Sequence, residues 1–324
     1  MMSKNYKTPF FFLVFLSLLF QSSFLIADGG KKAVTYQFSG GRFGDNLLSY
    51  LHAKWISYKY DIPVIYQPFL YSDQLHLHAE GLKTNEMCSQ WHFEASHVLR
   101  EGSLVNEHDP RSVYYVCEYF PESEDERANY LNAFGRRFAY FTVDWDDEGF
   151  HREIQRVVQP INKFTYPPLP PGRISVAIHI RSGIGFDGDK MHLIIPLKFP
   201  LPDYYLEQLK AIYHLFREQP LYVYIFSDDP NPKQFVDFFH ENLPNADIEY
   251  GYRKKDNNHY TNILEDFFAM LQFQCLIRSQ SNFSVVAGKV GDFLVEIGPI
   301  TYVKKGEIPA IDQVEVKIKK NIIN

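Results

Sequence analysis

An arginine closes a short apolar run in the second half of this chain. Ile174-Ser175-Val176-Ala177-Ile178-His179-Ile180 is apolar and β-branched enough for an interior strand covered on both faces, and Arg181-Ser182-Gly183 follows at once. Open α/β sheets take ligands at the carboxyl ends of their strands, and the planar fork of a guanidinium suits bidentate contact with phosphate. The pattern predicts a nucleotide or sugar-nucleotide phosphate site around Arg181 and Gly183. The competing reading is an arginine that caps the strand or pairs with a surface carboxylate. A second arginine, Arg42, sits inside Gly40-Gly41-Arg42-Phe43-Gly44-Asp45-Asn46. A glycine turn between strand and helix lets backbone N–H groups approach an anion.

Further candidates stand at similar places. Asp228 and Asp229 follow the apolar run Leu221–Phe226 and precede Pro230, so they lie at a strand end or cap the next helix. Ser281-Asn282-Phe283-Ser284 opens another helix, with hydroxyl and N–H donors for a diphosphate or, in Ser284, a simple N-cap. His179 either orients the loop after the strand or is a satisfied core residue. Asp45, Asp187 and Asp189 are the carboxylates placed to act as a general base, with Asp45 equally able to cap a helix. Asp144-Trp145-Asp146-Asp147 fits a helix N-terminus better than a metal site.

The elements that must position these residues follow from periodicity and breakers. A strand over 33–38 leads through the glycine turn into a helix that ends near Tyr60, with Leu47, Leu48, Leu51, Trp55 and Tyr58 at three- and four-residue steps. Residues 63–67 and 113–117 read as strands, 70–112 as loops and short helices, and 148–159 as a helix. Tyr166-Pro167-Pro168-Leu169-Pro170-Pro171-Gly172 is a semi-rigid linker. Beyond it strands (174–180, 221–226, 247–250, 276–280) alternate with helices (203–217, 231–243, 261–276, 284–290), which implies a parallel sheet with crossover helices. The tail from Ile300 is expected to return to the first half.

Four of these segments together resemble the GDP-fucose-dependent fucosyltransferases, a superfamily of α1,2 and α1,6 enzymes and protein O-fucosyltransferases. The Gly-Gly-Arg-Phe-Gly turn is similar to the Gly-x-x-Gly-Asn turn near their start, and His179-Ile180-Arg181 to their His-x-Arg strand end. Phe226-Ser227-Asp228-Asp229 resembles a strand end of the α1,2 enzymes. Asp266 to Leu271, with Ser281 to Ser284, resembles their helix, strand and Ser-x-Phe-Ser/Thr turn. The matches span residues 36–284 in the same order. Departures are Asp45 where the family has asparagine, with Asn46 next, and Ser182 where the α1,2 and α1,6 enzymes carry a second arginine. Asp187 lies two residues later than the protein O-fucosyltransferase pattern His-x-Arg-x-Gly-x-Asp.

The resemblance implies an α/β fold of two facing Rossmann-like domains (GT-B type) around a cleft, an acceptor-side domain over 33–165 and a GDP-sugar domain over 173–305. Residues 166–172 link them, and 306–324 form a tail. It implies inverting, metal-independent transfer of fucose from GDP-fucose, with no cofactor, to a glycan or protein hydroxyl. Arg181 is then the cation at the leaving phosphate, and Asp45 or Asp187 takes the acceptor proton. Arg42, Phe43, Gly44, Asn46, His179, Gly183, Asp228, Asp229, Ser281, Asn282, Phe283 and Ser284 line the substrates, with Asp228 or Asp229 toward guanine or ribose. The alternative is a catalytically silent relative that binds a nucleotide or glycan.

Composition bounds the rest. Of 324 residues 45% are hydrophobic and 22% charged, ordinary globular usage, and a net charge of −6 disfavours a nucleic-acid partner. Lys4 and Lys7 precede an apolar run from Pro9 to Phe20, so residues 1–27 read as a signal peptide cleaved after Ala27 or, if retained, a membrane anchor over 9–27. Either form leaves the site outside the cytoplasm, in a secreted, periplasmic or Golgi-lumen setting. Three cysteines, Cys88, Cys117 and Cys275, cannot build a disulfide scaffold. Cys88 and Cys117 are available to pair, with Cys275 expected in a buried apolar helix.

Overall fold

The computed structural model describes residues 33–36, 41–61, 63–79, 82–83, 113–116, 143–183 and 190–319. Residues 1–27, Cys88, Cys117, Asp187 and Asp189 lie outside the described residues. Among the described residues no helix is long and apolar enough to cross a membrane.

The first half opens with β1 (Ala33–Tyr36) and α1 (Phe43–Tyr60). Its short strands are β2 (Ile65–Tyr66), β3 (Leu82–Lys83) and β4 (Val113–Val116). β1 pairs with β4 and β2 with β3, both parallel, and a bridge from Val34 to Val64 brings the two pairs together. α1 is buried on every face from Leu47 to Ile56, as expected of a helix enclosed by core rather than laid on a surface. It starts two to three residues earlier than the polar Asp45-Asn46 pair suggests, because the Asp45 carboxylate accepts from the Arg42 N–H at 2.9 Å and caps the first turn from within. α2 (Glu148–Val157) is capped by Asp147, whose carboxylate accepts from the Phe150 N–H at 2.8 Å. The acidic run at 144–147 thus serves the helix start.

The second half contains β5 (Ile174–Ile180), the short α3 (Met191–Ile194), α4 (Pro202–Leu215), β6 (Leu221–Ser227) and α5 (Lys233–Asn242). Then come β7 (Ile248–Tyr252), α6 (Ile263–Met270), β8 (Cys275–Arg278), α7 (Asn282–Val290), β9 (Val295–Lys305) and β10 (Ile308–Ile318). The six strands form one sheet in the order β10-β9-β8-β5-β6-β7, parallel except for β10. This is a Rossmann-like strand order with an antiparallel edge.

The structure departs from the sequence pattern in two places. The apolar pattern continues a helix through Cys275, but α6 stops at Met270 and Cys275 lies in β8. Short apolar runs are ambiguous between helix and strand, and pairing decides. Gln274 is tied to the start of β5, its side chain accepting from the Ser175 N–H and its own N–H donating to the Ser175 hydroxyl, both at 3.0 Å. β8 then pairs with β5 on one side and β9 on the other. Burial pushes the Cys275 thiol up to about 12, so it is no nucleophile. The chain beyond Ile300 also stays in the sheet instead of returning to the first half. β9 runs on to Lys305, and Gly306 at φ 70° turns it into β10.

Alternation along the strands divides the core. Val176, Ile178, Ile180, Val223, Ile225, Ile277 and Ile297 face α4 and α5. Ala177, Tyr222, Tyr224, Phe226 and Leu276 face the other way and join a cluster that includes α6, α7, α1, α2 and β1. One continuous core therefore ties the first half to a face of the sheet. Each large side chain fully removed from water contributes about 1.5–3 kcal/mol.

Candidate functional site

The sheet sets the place. After β5 the chain adds β6 and β7 on one side, then crosses to add β8 on the other. The crevice at such a reversal, outside the carboxyl ends of the strands, is where open α/β sheets bind ligands. β5 delivers Arg181 to this point, and β8 delivers Ser279 to Ser284.

Arg181 is held by two acceptors on one nitrogen. Its Nη1 lies 2.6 Å from Asp228 Oδ2 and 2.6 Å from His259 Nδ1. The three side chains are only 9%, 7% and 5% exposed, so these bonds form away from bulk water. Asp228 also accepts from the Ser182 N–H at 2.7 Å through Oδ1, and the Gly183 N–H lies 3.4 Å from Oδ2. Gly183 has φ 71°, the left-handed backbone that glycine adopts freely, and this lets the chain turn away directly after Arg181. The Phe199 ring lies 5.9 Å from the guanidinium carbon. Asp228 thus holds the arginine and its loop, while Asp229 caps the next turn by accepting from the Asn231 N–H at 2.8 Å.

The second wall is made by the N-termini of α1 and α7, which meet almost backbone to backbone. A Cβ on Gly44 would stand 2.5 Å from the Phe283 nitrogen, so only glycine permits this approach. Asn282 Nδ2 donates to Asp45 Oδ1 at 2.7 Å, and Asp45 Oδ2 is the cap acceptor for Arg42. Asn46 turns its amide to the Gly41 carbonyl at 3.3 Å. Phe43 packs against Phe267, Phe283, Phe69 and Tyr71 with ring centroids 5.3–6.4 Å apart. The Ser281 carbonyl accepts from the Ser284 and Val285 N–H groups, and the Ser284 hydroxyl donates to the same carbonyl at 3.2 Å. Ser284 is therefore part of the helix start, while the Ser281 hydroxyl caps nothing.

His179 connects the two walls. Its ring lies 5.4 Å from that of Phe283, and burial lowers its pKa to about 4, so it is neutral at physiological pH. The four segments singled out in the sequence are thus contiguous: Phe43 to Phe283, Phe283 to His179, and Arg181 to Asp228. Asp187 lies outside the described residues. Among the described residues no group of histidine, cysteine or carboxylate side chains is placed to hold a metal ion.

Sequence pattern alone misses His259. It sits in a polar stretch, Arg253 to Asn262, without periodicity or a motif, and only the fold brings it to Arg181. Also unmarked is a second buried pair, Arg278 Nε to Glu296 Oε1 at 2.6 Å, between β8 and β9.

No family model matches the chain, and no curated protein matches it. Among solved structures, a variant of Arabidopsis thaliana FUT1 in complex with GDP is similar over 90% of this chain and 76% of its own, at 12% identity and a TM-score of 0.46. NodZ α-1,6-fucosyltransferase soaked with GDP-fucose is similar over 89% of this chain and 99% of its own, at 12% identity and a TM-score of 0.42. The Se-Met fucosyltransferase NodZ from Bradyrhizobium gives 12% identity, 89% and 98% coverage, and a TM-score of 0.41.

Proposed function

We propose that this chain is an inverting, metal-independent glycosyltransferase that moves fucose from GDP-fucose to a hydroxyl of a glycan or protein. One observation supports this above the others: four segments spread from residue 43 to residue 284 are linked, Phe43 to Phe283, Phe283 to His179, and Arg181 to Asp228, at the reversal point of the sheet. In the reaction the acceptor oxygen forms a bond to the sugar's anomeric carbon. The bond from that carbon to the β-phosphate breaks, its electron pair leaves on GDP, and the acceptor proton passes to a base. Arg181 neutralises the charge gathering on the leaving phosphate, and the N–H groups at the start of α7 and the Ser281 hydroxyl add donors. Asp45 or Asp187 serves as the base. Residues 33–165 carry the acceptor side and 173–305 the donor side, as facing lobes of a GT-B enzyme with the cleft between them. The leader at 1–27 puts the site outside the cytoplasm, secreted or anchored through 9–27.

A second reading is a silent relative that binds a nucleotide or glycan without turnover. It is favoured by Asp45, whose two oxygens are already taken by Arg42 and Asn282. One experiment separates the two: calorimetric titration of residues 28–324 with GDP, UDP and ADP, followed by release of GDP from GDP-fucose with a mixed glycan panel. GDP-selective binding with release supports the transferase, and binding without release supports the silent relative. No nucleotide binding overturns the transferase, and no binding of the glycan panel either overturns the silent relative as well.

A further inference from the structure

Resting on the transferase assignment, we propose that His259 is a positioning residue for Arg181, holding the guanidinium plane through an unprotonated Nδ1. A guanidinium has donors only and does not lose its proton in proteins. At 2.6 Å from Arg181 Nη1, His259 Nδ1 must therefore accept, which places the ring proton on Nε2. Nη1 carries two hydrogens, and two acceptors are present, Asp228 Oδ2 and His259 Nδ1. Asp228 Oδ2 and His259 Nδ1 approach within 3.2 Å because they share that nitrogen, not because a proton lies between them. Two acceptors on one terminal nitrogen fix the plane of the guanidinium, and so the direction in which its other N–H groups point. A carboxylate alone would fix the charge but leave the plane freer to turn.

The loop that carries His259 is built to hold it there. Asn258 Oδ1 accepts from the N–H groups of Tyr260 and Thr261 at 2.8 and 3.0 Å, the Asx turn that follows. Asn257 Nδ2 donates to the Arg253 carbonyl at 2.8 Å, and Arg253 is paired with Asp266. Tyr71, which packs on Phe43 at the other wall, donates its hydroxyl to the Tyr260 carbonyl at 3.0 Å. The loop that carries the ring is thus tied to the other wall of the site as well. The charged groups in contact with it include Arg181 and Asp228.

The test compares His259→Ala, His259→Asn and Arg181→Ala in residues 28–324. Asparagine puts an amide oxygen near the place of Nδ1, so it accepts from Arg181 but does not titrate. With GDP-fucose as donor and the same glycan panel, His259→Ala is expected to lower kcat about 10–100-fold, with KM changed far less. His259→Asn should restore most of kcat and remove from the acid side of the kcat profile the part that arises when Nδ1 gains a proton and can no longer accept, leaving the limb of the carboxylate base. A kcat for His259→Ala equal to the parent's, or an acid side in His259→Asn that superposes on the parent's, overturns the proposal. A readout without turnover is nitrogen NMR of the histidine-labelled protein, with the His259 signal assigned by its loss in His259→Asn. An Nε2–H ring that titrates at higher pH in Arg181→Ala supports the proposal; an Nδ1–H ring, or titration unmoved by Arg181→Ala, sinks it. Failure of the transferase assignment looks different: the parent itself then releases no GDP from GDP-fucose, while the NMR comparison with Arg181→Ala still decides the contact.

Discussion

Two arginines on neighbouring strands are paired with carboxylates at the same 2.6 Å, and they are built for different ends. Arg278 lies within the sheet, its Nε on Glu296 Oε1 and its Nη2 3.5 Å from Glu315, with both members of the main pair 7% exposed. Two glycines make room for this pair, since a Cβ on Gly298 would meet the Arg278 guanidinium at 2.6 Å and one on Gly288 the Glu296 carboxylate at 2.3 Å. Arg181 lies just past its strand, on a carboxylate that also holds the following loop and on a histidine ring from a distant one. The first pair is enclosed by strand, helix and small residues. The second stands at the sheet's reversal point. A short, buried ion pair does not by itself mark a site; the place of the pair in the topology does.

Arg278→Met should break this comparison most strongly. It leaves Glu296 buried without its partner, and the unfolding free energy should fall by about 3–5 kcal/mol in urea titration. Transfer per folded molecule should stay at the parent's level. Arg181→Ala should do the reverse. Asp228 keeps the Ser182 and Gly183 N–H groups, so stability should fall less than in Arg278→Met. GDP release from GDP-fucose should drop by about 10²–10³-fold, or roughly 2.7–4 kcal/mol of barrier.

His179 stands opposite Arg278 in the strand register and two residues before Arg181. Its folded pKa of about 4 lies below the unfolded value of 6.5, so between these the unfolded chain binds the proton and the folded one does not. Stability should therefore fall as pH drops from about 6.5 to about 4, by roughly 3 kcal/mol at most. In His179→Phe, melting curves across that range should show a flatter acid slope.

Gly44→Ala sharpens the contrast between the site and the enclosed pair. It forces the starts of α1 and α7 apart at about 1–3 kcal/mol of stability, and GDP titration should show weaker binding. Lys210→Ala is the reference for an exposed pair. Lys210 meets Glu207 at 2.9 Å on the surface of α4, and its loss should change stability by only about 0.2–0.5 kcal/mol.

The strands β5 and β6 and the helices α1, α2, α4 and α5 were legible because each carries a periodic pattern with a clear breaker at one or both ends. Arg181, Arg42 and the serines near α7 were legible because they stand next to such ends. Cys275 was misread because an apolar run of four residues suits helix and strand equally until its neighbours are known. Asp45 was read as a base or a helix cap and Gly44 as lining the substrates; in the structure Asp45 caps α1 and reaches Asn282, and Gly44 makes way for Phe283. His259 and the Arg278–Glu296 pair had no local signal at all.

What the sequence by itself determined is the alternation of strand and helix and the placing of charged residues at strand ends, since these depend on patterns within about ten residues. Only the tertiary structure decided which strand ends share a crevice, because strand order is set by packing between distant segments. That order put Arg181 at the reversal point of the sheet and Arg278 within it. It also brought a histidine 78 residues away in sequence to the nitrogen that fixes the first arginine's plane.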